Sequence, residues 1–198
     1  MSESKTTGRW ILILIFFICA APLLFAWLLF QNPQWLSGRT NYGNLIIPAA
    51  PIDRSKLSGF DAFSKQNLNE MKGHWMLLHV VTDQGCHKEC KESLYKTKQI
   101  RLMLNKDLLR LRRVLMLDEG ADERQAGDRW RDDQYLLRVR PGQGVIELLS
   151  DAIGQPLEEG TVFVMDPFGN VLLWYPPGFD PYGVKKDLKR LLSVSQIG

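Results

Sequence analysis

Sixteen consecutive residues, from Trp75 to Cys90, govern how this chain folds: WMLLHVVTDQGCHKEC. The first half, Trp75–Thr82, is a continuous apolar run that predicts a buried strand. The polar triplet DQG breaks the strand, and a helix is predicted from Glu89 to about Asn105, where apolar residues recur among charged ones. Cys86 and its partner Cys90 therefore stand where a strand gives way to a helix.

That position favours sulfur chemistry. A thiolate at a helix N-terminus has a lowered pKa and a raised reactivity, because the positive end of the helix dipole stabilises it. Cys86 precedes the helix, and Cys90 follows one helical turn later. Such a pair can close into a disulfide or hold one soft ion such as copper(I). The loop between the cysteines is too small to stabilise a fold by itself, so a chemical role is favoured over two inert buried cysteines.

A second informative stretch is the uncharged run Trp10–Phe30, which is 21 residues long. About 20 apolar residues in a helix span a hydrocarbon core of about 30 Å. Lys5 and Arg9 precede the run, so the N-terminus is predicted to stay in the cytoplasm and the rest of the chain to lie in the periplasm of a bacterium. A cleaved secretory signal is the alternative, but the length of the run and Pro22 argue against it.

The predicted organisation is a cytoplasmic N-terminus (1–9), a transmembrane helix (10–30), a linker (31–44) and one domain (45–198). The chain has 25 basic and 22 acidic residues, of which two basic and one acidic residue precede the anchor. The remainder is close to neutral, so no nucleic acid is predicted as a partner.

The sequence after the cysteines also alternates predicted strands and helices, which indicates an α/β fold. Its order is a strand, a helix, a strand, then a hairpin and a closing helix, which is typical of a thioredoxin-like α/β sandwich; an unrelated α/β fold with the same order is the alternative. The predicted strands are Leu111–Asp118, Tyr135–Val139, Thr161–Met165 and Val171–Tyr175, and the predicted helices are Val145–Ala152 and Pro181–Ser195.

Several of these stretches resemble the Sco/SenC family of copper chaperones. They are KGHWMLLHVV from Lys72, the Cys-x-x-x-Cys spacing, LMLD from Leu115 and VFVMDPFGN from Val162. Proteins of that family are membrane-anchored thioredoxin-like domains that help to deliver copper to cytochrome c oxidase. The resemblance implies Cys86 and Cys90 as copper(I) ligands. It also implies a single-pass protein of the bacterial inner membrane, whose partner is a cytochrome c oxidase subunit or another assembly factor.

One family ligand is missing. The family completes its copper site with a histidine shortly before the strand that leads into Asp-Pro-x-Gly, but this chain has no histidine after His87. The matching position falls near Glu158, which leaves His87 or Glu158 as the candidate third metal ligand. A carboxylate is a hard donor and a poor substitute for imidazole toward copper(I). The cis-proline that thioredoxins place before their third strand is also missing, since the chain reads Glu159-Gly160-Thr161 there.

Three functions are compatible with the sequence. The first is a Sco-like assembly factor for respiratory cytochrome c oxidase, which handles copper or the thiols of a copper-accepting subunit. The second is a membrane-tethered thiol-disulfide oxidoreductase with Cys86 and Cys90 as its redox pair. The third is a non-catalytic scaffold in which Trp174, Tyr175 and Phe179 form a contact patch, unless they pack against the closing helix.

Overall fold

The computed structural model describes residues 4–32, 41–81, 86–117, 130, 132–195 and 197. The chain divides into two compact units, Met1–Thr40 and Asn41–Gly198. The second unit thus begins somewhat before the start predicted at residue 45. Tyr42 and Gly43 belong to it, because their backbone N–H groups both donate to Oδ2 of the buried Asp187 at 2.9 Å.

The first unit contains a long apolar helix, α1 (Ser4–Gln31), which runs through Pro22 without a break. Its segment Arg9–Gln31 has 23 residues and, within the described part of the chain, is long and apolar enough to cross a membrane. The predicted spanning segment 10–30 lies entirely inside it.

The second unit is built on a seven-stranded sheet, in the order β1-β7-β6-β3-β4-β5-β2. The middle strand, β3, pairs in parallel with β4 and antiparallel with β6, so it lies at the centre of the sheet. All seven of its residues are buried, as expected for a strand covered on both faces. The strands are β1 (Asn44–Pro51), β2 (Leu57–Gly59), β3 (Trp75–Val81), β4 (Leu111–Leu117), β5 (Leu136–Pro141), β6 (Val162–Met165) and β7 (Asn170–Tyr175).

In the described part of the second unit, four α-helices cover the two faces of this sheet. Alternate residues of β3 enter apolar clusters on opposite faces of the sheet. Leu77 packs with the helices that begin at Lys88 and Pro181, and Leu78 packs with the helix that begins at Val145. This arrangement is the layered sandwich that the element order predicted. The helices are α2 (Ala62–Asn67), α3 (Lys88–Met103), α4 (Val145–Ile153) and α5 (Pro181–Val194).

The predicted strands and helices from Trp75 onward are confirmed, with ends shifted by a residue or two. The predicted ends Thr82 and Asp118 lie outside the described residues. The edge strands β1 and β2 and the short helix α2 were not predicted as such, and neither were the short 3₁₀ helices, which are Arg54–Lys56, Leu68–Met71 and Asn105–Arg110.

Candidate functional site

The site lies at the start of α3, which is the first helix after the central strand β3. The inward side chains of α3 recur at the three- and four-residue spacing of a helix face and begin with a cysteine. They are Cys90, Ser93, Leu94, Thr97, Ile100 and Arg101. Packing of this stripe against the sheet fixes Cys90 at the buried side of the first helical turn.

Cys86 and Cys90 form a disulfide, with their Cα atoms 5.2 Å apart. That spacing is ordinary for a disulfide. The sulfurs are well covered, since Cys86 is 9% and Cys90 2% exposed. They belong to a small apolar cluster that also contains Val81, Leu94, Leu115, Leu117 and Leu136.

The carboxylate of Glu159, which is distant in sequence, caps the N-terminus of α3. The side chain of His87, the residue that caps α3, makes no capping hydrogen bond. Instead, Oε1 of Glu159 accepts the backbone N–H of His87 and, at 3.4 Å, that of Cys90. Its other oxygen, Oε2, lies 3.6 Å from Nδ1 of His87. Glu159 thus satisfies helix N–H groups that lack an intrahelical partner, and the helix dipole favours its negative charge.

A tight turn before β6 presents Glu159 to the helix. The N–H of Thr161 donates to the carbonyl of Glu158 at 3.1 Å, which closes a four-residue turn. Gly160, at its third position, has φ +88°, as a type II turn requires. A Cβ on Gly160 would lie 2.9 Å from the carbonyl oxygen of Glu89. The turn is therefore packed directly against the backbone of α3 and needs glycine at this point.

Of the described residues, the group of side chains that could hold a metal ion is Cys86, Cys90 and Glu159, whose ligand atoms all lie within 4.8 Å of one another. Glu158, the residue placed nearest to the family histidine from the sequence, is exposed and is not part of this group. His87 is also outside it, although its ring contacts Glu159. The sequence did contain a signal for Glu159, namely a carboxylate directly before a glycine in the loop that enters β6.

These three side chains fit a metal ion once the disulfide is reduced. Two thiolates offer the soft sulfur donors that suit copper(I) or zinc, and Glu159 adds one hard oxygen donor. In the disulfide the sulfurs are joined to each other, so a two-electron reduction must come before metal binding. The two cysteines can therefore cycle between disulfide and dithiol, and in the dithiol form they can hold a metal ion together with Glu159.

The buried His79 belongs to a separate polar network beneath α3. Its Nε2 lies 2.9 Å from Oγ1 of Thr97, and its Nδ1 lies 3.4 Å from Oγ of Ser93. Arg113 also donates to Thr97 and forms an ion pair with Asp133 at 2.8 Å. Burial, with a smaller contribution from Arg113, holds the pKa of His79 well below its ordinary value. His79 is thus a neutral core histidine with hydrogen-bond partners of its own.

The aromatic residues near the end of the chain are mostly core residues. Tyr175 and Phe179 are buried, and both pack in the cluster that contains Val184 and Leu188 of α5. Trp174 is partly buried against the opposite cluster. Packing against the closing helix, rather than a contact patch, explains Tyr175 and Phe179.

Comparison with known proteins agrees with this fold. A family described as "Transmembrane-like, thioredoxin-like, C-terminal domain" matches residues 75–195, which run from β3 to just past α5. The chain belongs to this family. The match to the thioredoxin-like family therefore covers β3, both cysteines, the Glu159 turn and the hairpin of β6 and β7.

Solved structures confirm the fold and the predicted resemblance to Sco proteins at that level. Apo Sco1 from Thermus thermophilus has a TM-score of 0.55 and 18% identity, over 78% of this chain and 99% of that chain. Copper-bound ScoI from Arabidopsis thaliana has a TM-score of 0.52 and 13% identity, over 78% and 99%. BsSco, a member of the Sco family of cytochrome c oxidase assembly proteins, has a TM-score of 0.50 and 12% identity, over 77% and 96%.

No curated protein sequence matches the chain. The structural likeness at these identities shows a shared thioredoxin-like fold.

Proposed function

We propose that this protein is a membrane-anchored, Sco-like assembly factor for respiratory cytochrome c oxidase. It would handle copper, or the thiols of a copper-accepting subunit, through Cys86 and Cys90. The observation that carries the proposal is the disulfide of this pair at the start of α3, with the carboxylate of Glu159 close enough to join both sulfurs around one ion.

Two proteins of similar fold support the choice of chemistry. ScoI from Arabidopsis thaliana was solved with copper bound, and BsSco contains a disulfide switch. The present chain has the components for both: a pair of cysteines that closes into a disulfide and, after reduction, two thiolates that suit copper(I). Copper would be cargo in this function, passed to a cytochrome c oxidase subunit or another assembly factor.

The proposed location follows from the anchor. Residues 1–9 would be cytoplasmic, α1 would cross the bacterial inner membrane once, and the thioredoxin-like domain would lie in the periplasm. Lys5 and Arg9 supply the positive charge that favours a cytoplasmic N-terminus. The disulfide between Cys86 and Cys90 is compatible with an oxidising compartment.

Thiol-disulfide exchange at this site transfers two electrons and two protons and needs no further reactant. A dithiol of the copper-accepting subunit that reduces the Cys86–Cys90 disulfide passes on two electrons and two protons, and becomes a disulfide itself. The reverse exchange leaves a reduced subunit ready for copper and restores the disulfide here.

The test is a complementation experiment with the full chain. A strain lacking the gene receives wild type, Cys86→Ser/Cys90→Ser, or Cys19→Ser, which removes the cysteine of the membrane helix. We expect low oxidase activity with the double variant, partial recovery on added copper, and full activity with Cys19→Ser at equal protein levels. Full activity of the double variant would remove the cysteine pair from the function.

A second function is favoured by one specific observation. The third candidate ligand is a carboxylate rather than an imidazole, and this suits disulfide exchange without metal as a membrane-tethered thiol-disulfide oxidoreductase. That function requires the pair to cycle between dithiol and disulfide with a protein partner. A domain whose disulfide cannot be reduced and re-formed would exclude it.

A further inference from the structure

Glu159 bears on which ion the reduced site binds, a question that rests on the proposed use of the cysteine pair as a metal site. In the folded chain one carboxylate oxygen of Glu159, Oε1, caps the N-terminus of α3, because it accepts the N–H groups of both His87 and Cys90. Oε2 lies 3.6 Å from Nδ1 of His87. The carboxylate can therefore keep its capping role through Oε1 and offer Oε2 to an ion.

The negative charge of these three ligands favours a divalent ion over a monovalent one. Two thiolates and one carboxylate bring three negative charges into a space where all ligand atoms lie within 4.8 Å of one another. Copper(I) is satisfied by the two soft sulfurs and gains little from a hard oxygen. A zinc-like divalent ion accepts sulfur and carboxylate oxygen alike, and three protein ligands leave its fourth position open to water or to a partner's ligand.

We propose that Glu159 is the third metal ligand and that it raises the affinity of the reduced site for a divalent ion of intermediate softness while adding little to its affinity for copper(I). Loading begins when a dithiol reduces the Cys86–Cys90 disulfide by exchange and is itself oxidised to a disulfide. The two thiols then lose their protons to solvent as the ion binds, and Glu159 binds through the oxygen not used by the backbone. Selectivity thus lies in the turn before β6 rather than in the cysteines.

The turn makes this assignment specific to Glu159. Gly160 packs against the carbonyl of Glu89, and this contact fixes the residue before it over the first turn of α3. Glu158 precedes that point and is exposed. Glu89 is also exposed and lies between the cysteines in sequence, but it does not belong to the metal-binding group.

The test measures binding of Zn²⁺ and Cu⁺ to the reduced full-length protein in detergent, against a chelator for each ion. Glu159→Gln keeps an oxygen that can accept the two helix N–H groups but removes the anionic ligand. We expect it to weaken Zn²⁺ binding by at least about 10- to 100-fold, because even the loss of a residue that only supports a metal ligand costs that much affinity. Cu⁺ binding should change by less than about threefold, because the sulfurs carry it. Glu89→Gln, the charge-matched control, should leave both affinities unchanged.

The other outcomes distinguish the role of Glu159 from metal binding by the cysteine pair. Equal effects of Glu159→Gln on both ions, or a larger effect of Glu158→Gln on Zn²⁺, would overturn the role of Glu159 while leaving the cysteine site in place. A wild-type protein that binds neither ion would overturn the metal function itself. X-ray absorption at the zinc edge of the wild-type protein gives an answer even where a variant does not fold. Two sulfurs with oxygen and no imidazole support the proposal, and imidazole scattering would assign the third ligand to His87.

Discussion

At the scale of single residues, His79 shows how burial can make a histidine neutral. It lies in β3 with Thr97 and Ser93 as partners, and the guanidinium of Arg113 is close by. Both burial and Arg113 disfavour the charged imidazolium, so the pKa of His79 is well below its ordinary value. In the unfolded chain the same ring binds a proton below about pH 6.5.

This difference predicts a loss of stability in mild acid. Below about pH 6.5 the unfolded state binds a proton that the folded state does not, so the free energy of unfolding falls by up to about 1.4 kcal/mol per pH unit. We expect His79→Gln to flatten this slope between about pH 5 and pH 6.5, because glutamine does not titrate. Urea unfolding at several pH values measures it. His74→Gln, at a partly exposed position, is the matched control, and equal slopes in wild type and His79→Gln would show that other groups cause the acid sensitivity.

At the scale of elements, the turn before β6 joins the sheet to the start of α3. It holds Glu159 over the helix N-terminus, while Gly160 touches the backbone of α3. We expect Gly160→Ala to lower the free energy of unfolding by about 1–3 kcal/mol from backbone strain alone. The contact with Glu89 adds to this, because the new Cβ would lie 2.9 Å from its carbonyl oxygen. Urea unfolding checks the loss, and amide hydrogen exchange at Cys90 should rise as its acceptor moves away.

Gly154→Ala is the control for that experiment. Gly154 also has positive φ, at +68°, but a Cβ there would meet nothing within 4 Å. It therefore reports the strain without the clash. A loss of stability in Gly160→Ala that does not exceed the loss in Gly154→Ala would mean that the turn is not packed tightly on α3.

The elements also show what the sequence could predict and what it could not. β3 was predictable because a central strand buried on both faces is a continuous apolar run. β1 was not, since it is a half-exposed edge strand that contains Pro48 and ends at Pro51, and such strands lack a clear period. The six-residue α2 is too short for a helical period to show. The sequence pointed to Glu158, whereas Glu159 is the carboxylate that lies near the two sulfurs. The direction of each side chain in a tight turn depends on backbone angles, which sequence position alone does not specify.

At the scale of the whole molecule, the chain combines an apolar helix with a thioredoxin-like domain whose sulfur site is well covered. Cys86 and Cys90 are both buried in the disulfide form. In the proposed function, a covered site would react only with a partner that docks on it, so the rate of exchange or metal transfer would depend on how often the partner is met. Confinement to the same membrane raises the effective concentration of a membrane-bound partner, in the way that a linker does for two joined binding modules.

We therefore expect the anchor to be needed for the proposed delivery but not for the chemistry of the site. Replacing residues 1–31 with a cleavable secretory signal should leave the Cys86–Cys90 pair able to cycle between dithiol and disulfide, because no residue of the metal-binding group lies in α1. Oxidase activity in a strain lacking the gene should nevertheless fall at native expression levels, and it should recover as the released domain is overproduced, since a higher free concentration replaces the confinement. The control replaces the same residues with an unrelated single transmembrane helix of equal orientation, which should restore activity without overproduction. Full activity of the released domain at native levels would show that membrane confinement contributes nothing. Failure of the unrelated helix to restore activity would show that α1 recognises a partner through its own side chains.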